Sequence, residues 1–276
     1  MILFIPTEGL ANRIRTIDSM IQLCEKIRLK YRIYWRKDAG LNCAFSKIWK
    51  PLPNLKEDFD VRYLNILFIY RRKYAFVRKI LLLLEKCRLL KVISDEEFQY
   101  YYDIGYDFKD LQKYCLCMIK SFSVIKSNSL QLPQNLNYKR FVLADDLKGK
   151  IAFYTKDFPE NIVGIHIRRT DNKQAIAGSP LAIFESLMEK LTKEDPGLHL
   201  YLATDDIEVR NRMKEKFGEK IIVPQGALNR DSEEGILQST IEMYSLAKTK
   251  KIYGSYFSSY SETAALLGNL EYEIVR

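Results

Sequence analysis

The residues best suited to chemistry in this chain follow short apolar segments. GIHIRRTD, residues 164–171, sets two arginines and an aspartate directly behind alternating isoleucines. An arginine guanidinium presents a planar fork that matches two phosphate oxygens at once. The segment therefore favours a diphosphate contact by Arg168, which would offset the negative charge that grows on a departing diphosphate. A structural salt bridge at a domain interface is the alternative that these residues leave open.

A pair of aspartates follows the next apolar segment. Asp205 and Asp206 end LHLYLATDD, residues 198–206. Such a pair suits ribose hydroxyls, a base edge or a metal, but no third metal ligand is evident. The alternative, which is strongest for Asp206, is a cap on the helix that begins at Ile207.

Clustered serines follow a third apolar segment. GSYFSSYSE, residues 254–262, ends a predicted strand and opens a predicted helix. Hydroxyls and backbone N–H groups at a helix N-terminus bind anions. Ser259 or Ser261 could instead cap this helix, with Glu262 in its first turn.

The predicted elements place these clusters at one edge of a parallel sheet. From residue 161 the chain alternates strand and helix and ends on the strand YEIV at 272–275. A β–turn–helix–β unit also opens the chain, with the strand ILFIP, the turn TEGLANR and the strand YRIYW at 31–35. This alternation predicts an α/β fold of two Rossmann-like, doubly wound domains that bind ligands at the carboxyl ends of their strands.

The chain length and composition support two domains. Its 276 residues with 47% hydrophobic content are enough for two cores. We assign residues 1–150 to an N-terminal α/β domain and residues 151–276 to a C-terminal Rossmann-like domain. No apolar run reaches the roughly 18 residues of a membrane-spanning helix, and the opening MILFIPTEG lacks the basic region of a signal peptide.

The middle of the chain gives weaker signals. Residues 94–123 are expected to be helical, and KSNSLQLPQNLNY at 126–138 resembles a loop or domain linker. Residues 71–91 carry eight Lys or Arg against one Glu. They fit either a basic amphipathic helix on a membrane surface or a surface helix with a solvated charged edge.

Charge and missing motifs limit the function classes. The net charge of +9 implies attraction to nucleic acid, phosphorylated small molecules or an anionic membrane. The GxGxxG and GxxxxGK[ST] fingerprints are absent, which disfavours nicotinamide cofactors and P-loop ATP chemistry. Five scattered cysteines indicate reduced thiols and a cytoplasmic protein.

Three segments together resemble the fucosyltransferase superfamily. HIRRTD at 166–171, LATDD at 202–206 and YGSYFSSYSETAA at 253–265 have the order and similar spacing of its three motifs, and GLANR resembles its first loop. The resemblance covers roughly residues 160–268. It implies a GT-B-like architecture with two Rossmann-like domains facing a cleft, residues 1–150 on the acceptor side and residues 151–276 binding a nucleotide sugar. It also implies GDP-fucose as donor, inversion at the anomeric carbon, no metal or other cofactor, and a glycan acceptor that is free or lipid-linked.

The resemblance also implies roles for individual residues. Arg168 would meet the β-phosphate, while His166 and Asp171 would shape the nucleotide pocket. Glu242 would read the guanine edge, whose two donors suit a carboxylate. The other donor-binding residues implied in this way are Arg169, Asp205, Asp206, Ser258, Ser259, Gly9 and Asn12.

One expected catalytic feature is missing from the chain. The α1,6-fucosyltransferases carry a Lys and a Glu just after the RRTD motif, where this chain has Asn172 and Ile176, although Lys173 is near. Some protein O-fucosyltransferases use a Glu that precedes a Gly in the first loop, and Glu8-Gly9 has that setting. We therefore predict Glu8 as the general base, with proton transfer to the departing diphosphate as the alternative.

Three functions compete at this point. We predict a glycosyltransferase that moves fucose or a related sugar from a GDP-sugar, located in the cytoplasm or at the inner face of the membrane. The missing Glu favours a second hypothesis, a GDP-sugar binder without activity. A nucleic-acid binder is disfavoured because acids stand beside the Arg168–Arg169 pair.

Overall fold

The structure is a computed structural model that describes residues 1–57, 62–125, 138–226, 229 and 231–276. The chain forms two compact units, Met1–Val142 and Leu143–Arg276. Each unit contains a five-stranded, all-parallel sheet flanked by helices, which confirms the predicted α/β class. The boundary expected after residue 150 falls inside a helix of the second unit.

The N-terminal unit is built around its first strand. β1 is buried at most of its positions and pairs in parallel with two strands, β2 on one side and β5 on the other, in the order β3-β2-β1-β5-β4. The elements are β1 (Ile2–Pro6), α1 (Leu10–Lys26), β2 (Tyr31–Tyr34), α2 (Phe45–Ile48), β3 (Leu55–Lys56), α3 (Arg62–Lys73), α4 (Ala75–Lys86), β4 (Leu90–Ile93), α5 (Asp95–Asp103) and β5 (Leu116–Ser121), with 3-10 turns at Phe108–Lys113 and Tyr138–Arg140.

The expectation of helix across residues 94–123 is wrong in its second half. β5, with the sequence LCMIKS, is a strand of the sheet and lies between β1 and β4. A short apolar run of this length carries no periodicity that separates a buried strand from a buried helix. Only pairing on both sides identifies it. The predicted linker at 126–138 lies outside the described residues, apart from Tyr138.

Residues 71–91 do not form one helix. They contain the end of α3, all of α4 and the start of β4, with Tyr74 between the two helices. On its inner side α4 buries Leu81, and Val77 and Leu84 pack with it against Val92 and Met118 of the sheet. Within the described residues, no helix combines the length and apolarity needed to cross a bilayer.

The C-terminal unit has the Rossmann strand order. Its sheet runs β10-β9-β6-β7-β8, so the first strand of the unit again lies at the centre. β6 is buried at every position, which explains its uninterrupted apolar character. The elements are α6 (Asp145–Thr155), β6 (Ile162–Ile167), α7 (Lys173–Gly178), α8 (Leu181–Glu194), β7 (His199–Thr204), α9 (Ile207–Phe217), β8 (Ile221–Ile222), α10 (Glu233–Leu246), β9 (Lys251–Ser255), α11 (Ser259–Gly268) and β10 (Glu271–Val275).

Candidate functional site

The connections of the C-terminal sheet reverse direction between β6 and β9. In open parallel sheets the ligand crevice lies at the carboxyl ends of the two strands that flank such a reversal. Ser255, at the end of β9, is fully buried and accepts a hydrogen bond from the backbone N–H of Arg168 at 3.0 Å. Ser255 therefore ties the end of β6 to the end of β9. The sequence places Ser255 in the serine-rich segment at the end of a predicted strand, but it did not predict that Ser255 binds the backbone of Arg168.

Arg168 is oriented by two carboxylates. Its Nε lies 3.1 Å from Asp205 Oδ2, and its Nη2 is bonded to Asp171 Oδ1. The Arg168 side chain is only 14% exposed. A guanidinium has five N–H donors, and these two pairs engage Nε and Nη2. Arg168 therefore does form structural ion pairs, both of them within the C-terminal unit.

Asp205 holds the whole turn that follows β6. It accepts the backbone N–H of Arg169 at 2.7 Å and the Thr170 hydroxyl at 2.8 Å, in addition to its pair with Arg168. The Arg169 side chain turns away and donates to the carbonyl of Ser179 at 2.6 Å. The two adjacent arginines therefore point to different neighbourhoods, as neighbouring residues after a strand are expected to do.

Asp206 caps α9. Its Oδ1 accepts the backbone N–H groups of Glu208 at 2.8 Å and Val209 at 3.2 Å. This confirms the capping alternative for Asp206. The predicted ribose contact remains a prediction. Asp206 Oδ2 would make it, because this oxygen forms no hydrogen bond with the described residues.

The loop after β9 faces the same turn. The Asn172 side chain caps α7 through the N–H of Ala175 at 3.0 Å and donates to the carbonyl of Phe257 at 3.0 Å. Phe257 is 63% exposed and has a left-handed φ of 56°. An exposed aromatic residue rarely adopts this backbone conformation, and such residues cluster at ligand sites.

Ser258 occupies the cap position of α11 and makes no side-chain capping hydrogen bond. The expectation that Ser259 or Ser261 caps this helix is wrong, because the helix begins at Ser259. Glu262 lies in the first turn as expected. Both Ser258 and Ser259 are partly exposed, at a helix N-terminus that adjoins the end of β9.

His166 lies beneath the turn as a neutral ring. It is 4% exposed and stacks on Tyr260 with ring centroids 4.7 Å apart. Burial and the nearby charge of Arg168 lower the pKa of His166 to about 3. Its Nδ1 has no hydrogen-bond partner among the described residues. Because the ring stays neutral at physiological pH, this nitrogen can hydrogen-bond without carrying charge.

Glu242 lies on α10, below this cluster. It is 5% exposed, accepts from Gln238 at 3.1 Å and lies 3.4 Å from the Arg210 guanidinium. Burial raises the pKa of Glu242 to about 7. Tyr260 connects this region to His166, because its hydroxyl donates to the Ser239 carbonyl on α10. The guanine-edge contact of Glu242 remains a prediction.

In the N-terminal unit, the turn after β1 is held by a buried cation. The Arg13 side chain is fully buried and donates to the carbonyl of Glu8 at 2.7 Å, to the carbonyl of Arg36, and to Asp38 Oδ1 at 2.7 Å. Its guanidinium carbon also lies 5.2 Å from the Trp35 ring centroid. Burial lowers the pKa of Arg13, and Asp38 opposes this shift.

These contacts fix the conformation of Glu8. Its backbone is left-handed with φ 65°, and its side chain is exposed. Gly9 starts α1 with φ −74°, and a Cβ there would meet no atom within 4 Å. Asn12 follows in the first turn and is partly exposed. Gly9 has neither a left-handed backbone angle nor a crowded Cβ position that would require glycine. We therefore predict that a ligand approaches the backbone closely at Gly9.

Asp95 is a site residue that sequence reasoning missed. It follows β4 at the same sheet edge and accepts the Thr7 hydroxyl at 3.0 Å, with Lys120 Nζ 3.7 Å away. Burial, with a smaller contribution from the charge of Glu8, raises the pKa of Asp95. Sequence reasoning missed Asp95 because SDEE at 94–97 has the pattern of an ordinary helix start. Ser94 and Glu97 form the capping box of that helix.

No group of three His, Cys, Asp or Glu side chains in the described parts of the chain could hold a metal ion.

The chain matches no family model and no curated protein. Solved structures do match its fold. NodZ α1,6-fucosyltransferase from Bradyrhizobium is 17% identical with a TM-score of 0.62, covering 96% of this chain and 92% of that one.

Two further fucosyltransferase structures have the same fold. A variant of Arabidopsis thaliana FUT1 in complex with GDP is 15% identical with a TM-score of 0.64, covering 99% of this chain and 70% of that one. POFUT1 in complex with GDP-fucose is 8% identical with a TM-score of 0.57, covering 99% and 97%. The chain therefore has a fucosyltransferase-like fold of the GT-B type.

Proposed function

We propose that this protein is an inverting glycosyltransferase that transfers fucose from GDP-fucose to a glycan or lipid-linked glycan. The observation that carries the proposal is Arg168 at the end of β6, oriented by Asp205 and Asp171 at the point where ligands bind in such sheets. The shared fold of proteins solved with GDP and GDP-fucose supports the choice of donor.

The C-terminal unit would hold the donor. Arg168 would donate to the β-phosphate, with Ser258 and Ser259 on the opposite loop as further donors to the diphosphate. His166, Arg169 and the remaining predicted donor-binding residues would shape the nucleotide pocket. As the C1–O bond breaks, its electron pair goes to the β-phosphate oxygen, and Arg168 stabilises the charge that develops there. No metal ion is required in this scheme.

The N-terminal unit would supply the base. The acceptor hydroxyl oxygen attacks C1 on the face opposite the diphosphate, and its proton passes to the Glu8 carboxylate. Arg13 positions Glu8 by binding its backbone carbonyl. Asp95 is the second candidate, because burial raises the pKa of its carboxyl and so makes the carboxylate a stronger proton acceptor.

Calorimetric titration of the full chain with GDP, ADP and UDP tests the donor. We expect GDP to bind at least tenfold more tightly than the other two. Arg168→Ala should reduce kcat/KM for GDP-fucose by about 10²–10³, the usual cost of one such donor, and Arg168→Lys should recover part of it. Failure to bind any nucleoside diphosphate would falsify the proposal.

Turnover of Glu8→Gln tests the base. We expect kcat to fall by about 10²-fold or more with an unchanged KM for GDP-fucose, because a general base contributes about that much. Asp95→Asn is the matched variant on the same sheet edge. If Glu8→Gln keeps a near-normal kcat and Asp95→Asn loses it, the base is Asp95.

A GDP-sugar binder without activity is the remaining alternative, and the absent Glu after the RRTD motif favours it. It predicts tight GDP binding with neither transfer nor hydrolysis of GDP-fucose. Release of free fucose by wild type but not by Arg168→Ala would exclude it. Unchanged turnover in the presence of EDTA would support the metal-free scheme.

A further inference from the structure

The outer face of α4 is apolar where a surface helix is normally polar. Leu81 on its inner face is buried, yet Phe76, Ile80 and Leu83 on the outer face are 63%, 52% and 61% exposed. Their spacing of four and three residues places them in one stripe along the helix. The inner face already packs on the sheet, so the core does not account for this second apolar stripe.

Aromatic rings extend this stripe onto α3. The ring centroids of Tyr70 and Tyr74 lie 5.3 Å apart, and those of Tyr74 and Phe76 lie 5.9 Å apart. The exposed surface therefore runs without interruption from the end of α3 along α4. We call it the apolar strip, and it consists of Tyr70, Tyr74, Phe76, Ile80 and Leu83.

Cations that have no ion-pair partner in the described parts of the chain surround the apolar strip. Lys79 and Lys86 lie four before and three after Leu83, and so share the outward face with it. By contrast, Arg71 and Arg72 are paired with acids of α5. The exposed cations that form no salt bridge within the described residues are Lys73, Arg78, Lys79, Lys86 and Arg88.

Among the described residues, the acids near the apolar strip are paired with other cations. Glu85, the acid of α4, is paired with Lys91, and Glu96 is paired with Arg72. Continuous exposed apolar surface marks an interaction site, whereas single exposed apolar residues do not. The partner of this surface must therefore match both an apolar strip and a positive rim.

A second copy of the chain fits this surface poorly. In a two-fold interface each patch meets itself, so the five cations would face five cations. An anionic bilayer matches both features, because it accepts apolar and aromatic side chains at the acyl boundary and attracts Lys and Arg to its head groups. We propose that the apolar strip and its five cations bind the surface of an anionic membrane.

This binding is independent of the donor and of catalysis. If the proposed transfer reaction is also correct, it places the enzyme beside lipid-linked acceptors. The two proposals can fail separately, because vesicle binding needs no GDP-sugar and donor binding needs no membrane.

Co-sedimentation of the full chain with vesicles tests the proposal. Vesicles of phosphatidylcholine with one third phosphatidylglycerol are compared with pure phosphatidylcholine at low and high salt. We expect at least tenfold stronger partitioning to the anionic vesicles, weakened by salt. The double variants Lys79→Glu/Lys86→Glu and Phe76→Ser/Leu83→Ser should each weaken it at least tenfold.

Lys193→Glu/Lys214→Glu is the matched control. It makes the same charge change on exposed lysines of α8 and α9, and it should leave the partitioning within about twofold. Circular dichroism and thermal midpoints check that each variant folds. Equal binding to both vesicle types, unchanged binding of either strip variant, or a concentration-dependent dimer that Phe76→Ser/Leu83→Ser abolishes would overturn the proposal.

Discussion

The carboxyl edges of the two sheets are assembled with opposite charges. In the C-terminal unit a carboxylate is the anchor: Asp205 binds the backbone of Arg169 and the guanidinium of Arg168. In the N-terminal unit a buried cation is the anchor: Arg13 binds the carbonyl of Glu8, while the carboxylates of Glu8 and Asp95 are left at the edge.

This difference matches the roles that we propose for the two units, donor binding in the C-terminal unit and proton acceptance in the N-terminal unit. Each unit has its first strand at the centre, so each presents the loop after that strand at the edge where ligands bind. An anchor of opposite sign holds the functional group in place without neutralising all of its hydrogen-bonding capacity. An arginine held at the sheet edge suits a diphosphate, and a carboxylate held there suits the proton of an acceptor hydroxyl.

The largest expected effect comes from removing the cationic anchor. Arg13→Met keeps an unbranched side chain but removes the buried donor shared by Asp38 and two carbonyls, although Asp38 still accepts from Arg36. We expect the free energy of unfolding of the N-terminal unit to fall by about 3–5 kcal/mol, as for other broken buried pairs. Chemical denaturation measures this change. Arg32→Met, on the exposed side of β2, should stay within about 0.5 kcal/mol, and an equally small effect at Arg13 would show that it is no anchor.

A smaller effect on stability should come from Glu242, a carboxylate of the C-terminal unit that is buried rather than exposed. Burial raises its pKa from 4.5 to about 7. Because the folded pKa is the higher one, its stability contribution is present below about pH 4.5 and is lost as pH rises towards 7. The loss is on the order of 3 kcal/mol for a shift of this size. Denaturation curves between pH 4.5 and 8 should show a smaller decline with pH in Glu242→Gln than in wild type, and parallel declines would contradict the assignment.

The smallest effect concerns the cap beside the anchor. Asp206→Ala removes the acceptor of two N–H groups at the start of α9 and should cost about 1 kcal/mol of stability. Asp206→Asn preserves a capping oxygen and should remain within a few tenths of the wild-type value. A comparable loss in both variants, measured by denaturation, would mean that charge rather than capping is what Asp206 contributes.

The C-terminal half could be predicted well because each of its elements has its own signal. Its strands are short apolar runs, and α9 begins at Ile207 as predicted. The motif residues Arg168, Asp171 and Asp205 do meet at one turn. The sequence did not distinguish the roles of Asp205 and Asp206, because they are adjacent and identical in type. In the structure Asp205 anchors the turn and Asp206 caps a helix.

The N-terminal half was predictable only at its start. β5 is a central strand that looked helical, because six residues are too few to show a period and its neighbours in the sheet come from far along the chain. Asp95 reads as an ordinary residue of a helix start until Thr7, from the other end of the unit, is placed beside it.

The sequence by itself determined the α/β alternation, the polar residues that follow the strands, and the resemblance that indicated the donor. Local pattern is sufficient for these, because periodicity and strand ends are properties of consecutive residues. Only the tertiary structure decided which charge anchors which edge, that Ser255 joins β6 to β9, and that Asp95 lies at the same edge as Glu8. Those outcomes depend on strand order and burial, and neither is encoded in any single stretch of the chain.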